Sequence, residues 1–193
     1  MIDLLQSPVT SRDHVRGPTS ARVTLVEYAD FACPFCAAAF PVVEQLLAQH
    51  PAELRLVFRH NPRGEVHEGS LLAAKAAEAA AFQGQFWPMH DLLFERKQAI
   101  TERSLLNEAA LLGLDVELFR SDLRSRAVAS RVREDELSGL RSGVIGTPTF
   151  FLNAVHFRDK PDLLTLSQAI AEALTPGTRA VNAQMEASKW ISN

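Results

Sequence analysis

Cys33 and Cys36 are the two cysteines of this 193-residue chain, and only Pro34 and Phe35 stand between them. The apolar run before the pair predicts a strand, and Pro34 predicts the start of a helix, because proline favours the first helical position. Cys33 then lies at the helix N-cap, where free backbone N–H groups and the helix dipole stabilise a thiolate, the reactive form of cysteine. This arrangement predicts thiol–disulfide chemistry in which an exposed Cys33 reacts first and a shielded Cys36 resolves the mixed disulfide.

Two interpretations without redox chemistry stay open for the pair. A CxxC motif supplies half of a zinc site, and zinc shared by two such motifs across a dimer would have its four ligands. None of the six histidines lies close enough to another to give the spacing of a zinc finger. A static disulfide is the other alternative, although so short a loop restricts the unfolded chain very little. We expect neither a metal nor a bound cofactor, since the redox-active group would be the cysteine pair itself.

The composition narrows the class of protein. Apolar residues make up 47% of the chain and charged residues 22%, which is ordinary for a globular protein. A net charge of −3 gives no reason to expect nucleic acid or an anionic membrane as partner, and no run approaches the roughly 18 apolar residues of a membrane helix. Residues 1–17 lack the apolar segment of a signal peptide. We therefore expect a cytoplasmic protein, or a periplasmic one if a leader has been lost; two cysteines suit a reducing compartment.

The elements that must position the pair follow a β-α-β order, then a helical block, then β-β-α. Strand patterns cover 22–29, 54–59, 149–152 and 155–157, and helical patterns cover 34–49, 70–82, 86–97, 101–112, 115–123, 126–140 and 161–174. The first strand, helix and strand are so closely spaced that the two strands should be parallel. Residues 1–20 are predicted to be an irregular arm, and the tail after Thr175 has too weak a pattern to assign.

The sequence resembles the thioredoxin fold and, more closely, the DsbA-type thiol–disulfide oxidoreductases, in which a helical domain interrupts that fold. Four segments carry the resemblance: Tyr28–Cys36, Phe58–His60, Gln85–His90 and Gly143–Phe151. Within the group, the chain looks most like a branch in which some members lack a leader peptide and related domains are fused to sodium/proton antiporters.

The resemblance implies an α/β thioredoxin-like fold, with a mixed central sheet flanked by helices and an inserted all-helical domain. Residues 1–20 would be an N-terminal arm, 21–63 and 142–175 the discontinuous thioredoxin-like domain, 64–141 the inserted helical domain and 176–193 a C-terminal tail. The two halves of the thioredoxin-like domain would meet in one sheet although the chain separates them.

The resemblance also implies roles for particular residues. The cysteine pair would be catalytic, with protein or peptide thiols and disulfides as partners. The Thr147–Pro148 bond is expected to be cis and to lie against the pair, so that the Thr147 backbone can pair with an incoming chain like an added strand. Pro34 and Phe35 would complete this substrate-binding surface. Glutathione or a thioredoxin-type protein would supply electrons to the pair.

Glu27 stands six residues before Cys33, on a strand that we expect to be buried on both faces. In the family that the chain resembles, an acid at this offset lies beneath the active site, and the resemblance carries that catalytic role to Glu27. Burial raises the pKa of an isolated carboxyl group, so that it can accept and return a proton. The thiol that it would serve is Cys36. The alternative is an edge strand with an exposed glutamate.

Phe35 is where the sequence departs from the family pattern, because the best-known periplasmic oxidants of the group carry a histidine there. That histidine helps to stabilise the thiolate, so we expect a reduction potential below theirs. Two other functions stay open. One is a thioredoxin-fold binding or chaperone module without exchange activity, and the other is a glutathione-linked transferase or isomerase, which usually lacks the second cysteine.

Several other polar and aromatic residues are given structural interpretations. His60 and His90 stand among apolar residues and are expected to be packed or hydrogen-bonded, whereas His67 can approach the active-site surface. Core packing is expected for an aromatic set at helical spacing: Phe86, Trp87 and Phe94. A solvated helix face is expected for four arginines: Arg124, Arg126, Arg131 and Arg133.

Overall fold

The computed structural model describes residues 4–96 and 99–175. The strands are β1 His14–Arg16, β2 Val23–Ala29, β3 Leu54–His60, β4 Thr149–Leu152 and β5 Val155–Phe157. The helices are α1 Pro34–Gln49, α2 Ser70–Ala81, α3 Phe86–Glu95, α4 Glu102–Leu111, α5 Val116–Leu123, α6 Arg126–Arg141 and α7 Leu163–Leu174. Within the described ranges, no helix combines the length and the apolar character that crossing a bilayer requires.

A five-stranded mixed sheet lies at the centre, with the strand order β1-β3-β2-β4-β5. β2 and β3 are parallel, with Leu25 opposite Leu56, as the closely spaced β-α-β unit predicts. β4 pairs antiparallel with the other edge of β2. β2 is therefore hydrogen-bonded on both sides, and all but one of its residues are buried. This mixed sheet with helices around it confirms the predicted fold class.

Helix α1 is held against the sheet by an apolar face. Val43 and Leu46 of α1 share a core cluster with Leu25 of β2, Phe150 of β4 and Ile170 of α7. Each such fully buried side chain contributes about 1.5–3 kcal/mol of apolar transfer free energy. This packing fixes the N-terminus of α1 at the end of β2, which is where the cysteines stand.

The helical block from α2 to α6 is built around the alanine-rich α2, which contacts α3, α4, α5 and α6. Because the buried residues of α2 are mostly alanines, the neighbouring helices can approach it closely. The core cluster of this block also contains Phe31, Phe58 and both cysteines. The block and the sheet thus share one core around the cysteine pair, and the division into an insert and a discontinuous domain stays a prediction.

Residues 4–20 are not the irregular arm that the sequence predicts. β1 pairs antiparallel with β3, and Leu4 forms an isolated bridge with Val155. The buried guanidinium of Arg59 also ties the arm to the sheet, because its Nε donates to Asp13 at 2.7 Å. A three-residue edge strand held by backbone pairing and an ion pair has no alternating apolar pattern, which is why the sequence does not reveal it.

The other elements lie close to their predicted bounds. β4 and β5 have the predicted limits, and the turn Asn153–Ala154 between them has positive φ at both residues, 45° and 70°, as in two-residue hairpin turns. α7 begins at Leu163, two residues later than predicted, because the side chain of Asp162 caps it. The predicted end of α3 at Lys97 and the tail 176–193 lie outside the described residues.

Candidate active site

The cysteine pair stands at the predicted junction between the end of β2 and the start of α1. Cys33 is the N-cap residue with an extended backbone, φ −80° and ψ 122°, and Pro34 is in the first helical turn. The Cys33 N–H donates to the carbonyl of Asp30 at 3.0 Å and closes the turn. No side chain of the described residues caps this helix end. The free N–H groups and the positive end of the dipole are therefore available to a sulfur anion.

Cys33 is buried, with 2% of the residue accessible, so the expectation that it would be exposed is wrong. Its Sγ donates to the carbonyl oxygen of Thr147 at 3.3 Å, and the loop before β4 covers the sulfur. Thr147 is 114 residues away along the chain, so no local pattern could indicate this cover. The surrounding surface is apolar and open, with Phe35 73% and Ile145 90% exposed. An incoming disulfide must therefore displace the Thr147 contact to reach Cys33.

Cys36 is fully buried, as predicted for the resolving thiol. The backbone N–H of Asp30 donates to its sulfur, with an N···S distance of 3.5 Å. Burial, and after it the charge of Glu27, raises the pKa of Cys36 far above its usual range. A thiol held neutral in this way has to pass its proton to a base before it can attack another sulfur.

Glu27 is 3% exposed in the middle of the sheet, which confirms its predicted burial and excludes the edge-strand alternative. Its Oε1 is buried without a hydrogen-bond partner among the described residues. Burial, and after it the charge of Glu44, raises the pKa of Glu27 from 4.5 to about 8. The carboxyl group is thus mostly protonated at neutral pH and titrates in the range where acid–base catalysis is efficient. Its charge also acts on the Cys36 thiol.

Replacing Glu27 by glutamine should change how the stability of the protein depends on pH. The pKa of the carboxyl group is about 8 in the folded protein against 4.5 normally, so the folded state binds the proton more tightly. The free energy of unfolding of the parent should therefore fall between pH 4.5 and 8, by a few kcal/mol in order of magnitude. Glu27→Gln removes this fall, and its stability relative to the parent should rise over the same range.

Urea unfolding of both reduced proteins at pH 5, 7 and 9 measures this difference. Glu44→Gln is the matched control: it removes a half-exposed carboxylate and keeps the buried one, so the fall should remain, with its upper end at a lower pH because the charge of Glu44 contributes to the raised pKa of Glu27. A parallel pH dependence of Glu27→Gln and the parent would contradict the raised pKa.

Asp30 organises the loops around the cysteine pair, a role that was not predicted from the sequence. Its buried carboxylate accepts from the backbone N–H groups of Ala32 at 2.9 Å and Arg63 at 3.0 Å, and its Oδ2 is 2.8 Å from Nδ1 of His67. The Arg63 guanidinium donates to the carbonyl of Ile145 at 2.6 Å. His67 does reach the active-site region, and one carboxylate connects the turn before the cysteines with the loop after β3. The sequence feature that could have indicated this role is the position of an acid directly before the CxxC turn.

The loop that faces the cysteines carries the cis bond predicted between Thr147 and Pro148. A cavity of about 260 Å³ lies beside Pro148 and is lined by β4, β5 and the residues after β5. Pro34 and Phe35 follow Cys33 in the chain and are exposed, and Thr147, directly before Pro148, contacts the Cys33 sulfur. All four residues predicted to bind substrate therefore stand close to Cys33. Their role in holding a substrate chain stays a prediction.

The structural interpretation of the histidines and aromatic residues agrees with the contacts. The buried rings of His60 and His90 are hydrogen-bonded to Glu78 at 2.9 Å and to Asp91 at 2.8 Å. The aromatic set belongs to the core around the helical block: Phe86, Trp87 and Phe94.

Arg131 does not lie on the solvated helix face that the sequence predicts. Its side chain is 12% exposed, it forms an ion pair with the buried Asp135, and its Nε is 3.9 Å from the carboxylate of Glu78. The burial comes from β3 and α2 packing against α6, which the helical pattern alone cannot show. The other arginines of the set are exposed as predicted: Arg124, Arg126 and Arg133.

Three residues that the sequence analysis did not connect are brought together by the fold. Nε2 of His14 and Nε2 of His60 lie 2.8 Å and 2.9 Å from the same oxygen, Oε1 of Glu78. Two imidazoles and a carboxylate are residue types that could hold a metal ion. Because they come from β1, β3 and α2, their separation along the chain hides the cluster.

Comparison with known proteins gives the same fold. The sequence model of the family described as thioredoxin, Thioredoxin_4, matches residues 9–172. A thioredoxin-like oxidoreductase from Silicibacter pomeroyi is 30% identical and superposes with a TM-score of 0.77, covering 85% of this chain and 93% of that one. BdbD from Bacillus subtilis in its oxidised form is 24% identical, with a TM-score of 0.77 over 89% of this chain and 98% of its own. At that lower identity the likeness shows the fold alone.

Two curated relatives carry the name of a membrane transporter. The Na(+)/H(+) antiporter NhaA 3 of Salinispora tropica is 44% identical over 173 residues, which is 90% of this chain and 26% of that protein. The Na(+)/H(+) antiporter NhaA of Herminiimonas arsenicoxydans is 45% identical over 177 residues, 91% of this chain and 28% of that protein. The chain therefore spans about a quarter of the length of these relatives and is similar to one part of each.

Proposed function

This chain belongs to the thioredoxin family, and from that premise we propose that, like the DsbA-type oxidoreductases it resembles, it exchanges disulfides with protein or peptide thiols. The observation that carries the proposal is the arrangement of the cysteine pair. Cys33 stands at an uncapped helix N-terminus, Cys36 is buried behind it, and Glu27 is a buried acid whose charge reaches Cys36. Neither a zinc-binding pair nor a static disulfide would need a buried acid such as Glu27 beside Cys36 to accept a proton.

In the proposed reaction, the pair moves two electrons without any further group. The Cys33 thiolate attacks a substrate disulfide, forms a mixed disulfide and releases one substrate thiolate. Cys36 then passes its proton to ionised Glu27 and attacks the Cys33 sulfur, which expels the second substrate thiolate and leaves the protein disulfide. The reverse sequence oxidises a substrate dithiol. After the pair has reduced a substrate, the protein disulfide would be reduced back to the dithiol by glutathione or a thioredoxin-type protein.

The apolar rim around Cys33 supports protein or peptide substrates over small thiols. Phe35 stands two residues after Cys33, Ile145 stands two residues before Thr147, and both side chains are exposed. Reduction of insulin in the presence of dithiothreitol tests the activity, with Cys33→Ser/Cys36→Ser as the control. Insulin precipitation no faster than with the control, together with no change in the redox state of the pair on mixing with oxidised insulin, would rule the function out.

Replacing Phe35 by histidine should raise the reduction potential of the pair. Phe35 offers the Cys33 thiolate neither charge nor hydrogen bond, and a more stable thiolate makes a stronger oxidant. We expect the parent to lie between the values of about −120 mV for DsbA and about −270 mV for thioredoxin, and Phe35→His to move towards the former. Equilibration with glutathione buffers measures both. A parent value at or above that of DsbA would place the protein among the strong oxidants.

The compartment decides the direction of electron flow. We propose the cytoplasm, which is supported by the use of only two cysteines, both in the redox pair. There the pair would be held mostly as the dithiol and would reduce or isomerise mispaired substrates. Acid quenching and alkylation, combined with cell fractionation, measures the redox state of the cysteine pair in each compartment. Mostly oxidised protein in the periplasmic fraction would indicate instead that the pair oxidises its substrates.

A second candidate is a binding module that works beside a sodium/proton antiporter. It is favoured by the 44% identity to part of the Salinispora tropica protein of that name. The test is capture of the antiporter portion of such a relative, produced without its matching region, by the reduced and the oxidised chain. Tight capture with no insulin reduction would select this module over the oxidoreductase.

A further inference from the structure

We propose that His14, His60 and Glu78 form a binding site for one zinc ion, separate from the cysteine pair and independent of the proposed exchange activity. Two imidazole nitrogens and one carboxylate oxygen are the donor set of zinc sites that keep a fourth position for water. The three donor atoms all lie within 4.8 Å of one another. An ion bound there would join β1, β3 and α2, which are the arm, the sheet and the helical block.

The spacing of the donors needs only a small opening to accept the ion. The two Nε2 atoms lie 2.8 Å and 2.9 Å from Oε1 of Glu78. Ligand atoms about 2.0–2.1 Å from a tetrahedral zinc ion are about 3.3 Å apart, so each N···O separation would widen by roughly half an ångström. The two imidazole protons that now face the carboxylate would be replaced by a single ion between the same three atoms.

Aromatic neighbours hold both rings in place, with each Nε2 close to Oε1 of Glu78. The His14 ring lies flat on Phe86, with the centroids 3.4 Å apart and an interplanar angle of 5°. The His60 ring is enclosed edge-on by Phe31 and Phe58. Nδ1 of His60 has no hydrogen-bond partner among the described residues, so coordination through Nε2 would move the ring proton to Nδ1 without breaking a hydrogen bond there.

The net charge around the cluster favours the binding of a cation. Glu78 and Asp135 bring two buried carboxylates, and the guanidinium of Arg131 lies between them, 3.9 Å from Glu78 and paired with Asp135. With both histidines neutral, this group carries one net negative charge. The His14 side chain is 16% exposed, which gives an ion and its bound water a path from solvent, while the other two ligands are almost fully buried.

Zinc titration of a Cys33→Ser/Cys36→Ser chain tests the site, because the dithiol pair would itself bind zinc in the parent. Isothermal calorimetry at pH 7.5 should show one ion per chain with a dissociation constant in the micromolar range or tighter. Cobalt(II) should give weak visible bands without the intense thiolate-to-metal absorption of a cysteine site. NMR of the imidazole nitrogens should show shifts at His14 and His60 on addition of zinc.

Matched single substitutions in the same background identify the ligands. His14→Ala, at a partly exposed edge strand, should weaken zinc binding by at least about tenfold. His50→Ala is the control, because it removes a histidine at the end of α1 that pairs with Glu53 instead. Zinc affinity should be unchanged there.

Three results would overturn the proposal: no saturable binding below about 100 μM zinc, equal affinity in His14→Ala, or zinc-dependent NMR shifts confined to other histidines. If His14→Ala did not fold, the NMR titration of the unsubstituted rings would still decide the question. None of these results bears on the exchange activity, which is measured with the cysteines present.

Discussion

A Cys36→Ser variant should accumulate about one covalent substrate complex per chain through Cys33, whereas Cys33→Ser should form none and lose exchange by about 10³-fold or more. The two sulfurs differ in how a substrate can reach them. The Cys33 sulfur lies under the loop before β4, where the carbonyl of Thr147 accepts its hydrogen bond, and exposed apolar side chains stand on both segments. Cys36 is fully buried, and burial raises the pKa of its thiol.

The order of reaction follows from this difference. Cys33 meets the incoming disulfide, and Cys36 can attack only after the mixed disulfide has placed an electrophilic sulfur next to it. Serine at position 36 therefore stops the reaction at the mixed disulfide. Serine at position 33 removes the nucleophile and leaves a neutral, shielded thiol.

Alkylation-quenched mixtures with a disulfide-containing peptide, analysed by intact mass, measure the trapped complex. The variant with serine at both positions gives the background. Accumulation of the complex on Cys33→Ser, through Cys36, would reverse the assignment of the two thiols.

Local signals were enough to predict where the reactive pair stands. Pro34 at the start of a helix, directly after an apolar strand, places Cys33 at an N-cap from sequence alone. The same kind of signal gave the bounds of β4 and β5, because the turn residues Asn153–Ala154 interrupt two short strand patterns. The burial of Glu27 could be predicted because β2 is apolar on both faces.

The features that were missed all depend on contacts between distant parts of the chain. The resemblance places the Thr147–Pro148 loop against the cysteines, but it does not indicate that this loop buries Cys33. Arg131 looks like an exposed helix residue until α2 and β3 pack over it, and its charge is then balanced by Asp135. The i,i+4 spacing of Arg131 and Asp135 allows that pair to be predicted, but the burial of Arg131 and its approach to Glu78 of α2 come from tertiary packing.

Asp30 shows why the loops of the site were also beyond the sequence analysis. Its carboxylate is buried and accepts hydrogen bonds from the backbone of Arg63 and from Ala32. An acid at the end of a strand is usually read as a turn residue, because most such side chains bond only to their own turn. Here the same carboxylate also fixes a loop that arrives 33 residues later.

Replacing Glu27 by glutamine should slow the resolution of the mixed disulfide by about 10²-fold near neutral pH, with the fold retained. Glu27 is the buried base whose charge acts on Cys36, and only its ionised form can take the proton of that thiol. With a pKa of about 8, the parent rate should rise with pH up to about 8 and then level off. Glutamine accepts no proton, so the variant should lack this inflection.

An opposing effect has to be weighed against the loss of the base. The charge of Glu27 raises the pKa of Cys36, so the neutral glutamine should make that thiol somewhat more acidic. Burial is the larger cause of the raised pKa, however, and the substitution leaves it unchanged. The loss of the base therefore dominates near neutral pH, and the two rates should converge at high pH, where hydroxide removes the thiol proton directly.

Rapid-quench measurement of the resolution step from pH 6 to 10, starting from a preformed mixed disulfide on Cys33, checks this prediction. Glu44→Gln is the matched control: it keeps the base, and because the charge of Glu44 contributes to the raised pKa of Glu27, its inflection should move to lower pH with the same limiting rate. If Glu27→Gln resolved the mixed disulfide as fast as the parent at every pH, the buried carboxyl group would have no part in proton transfer.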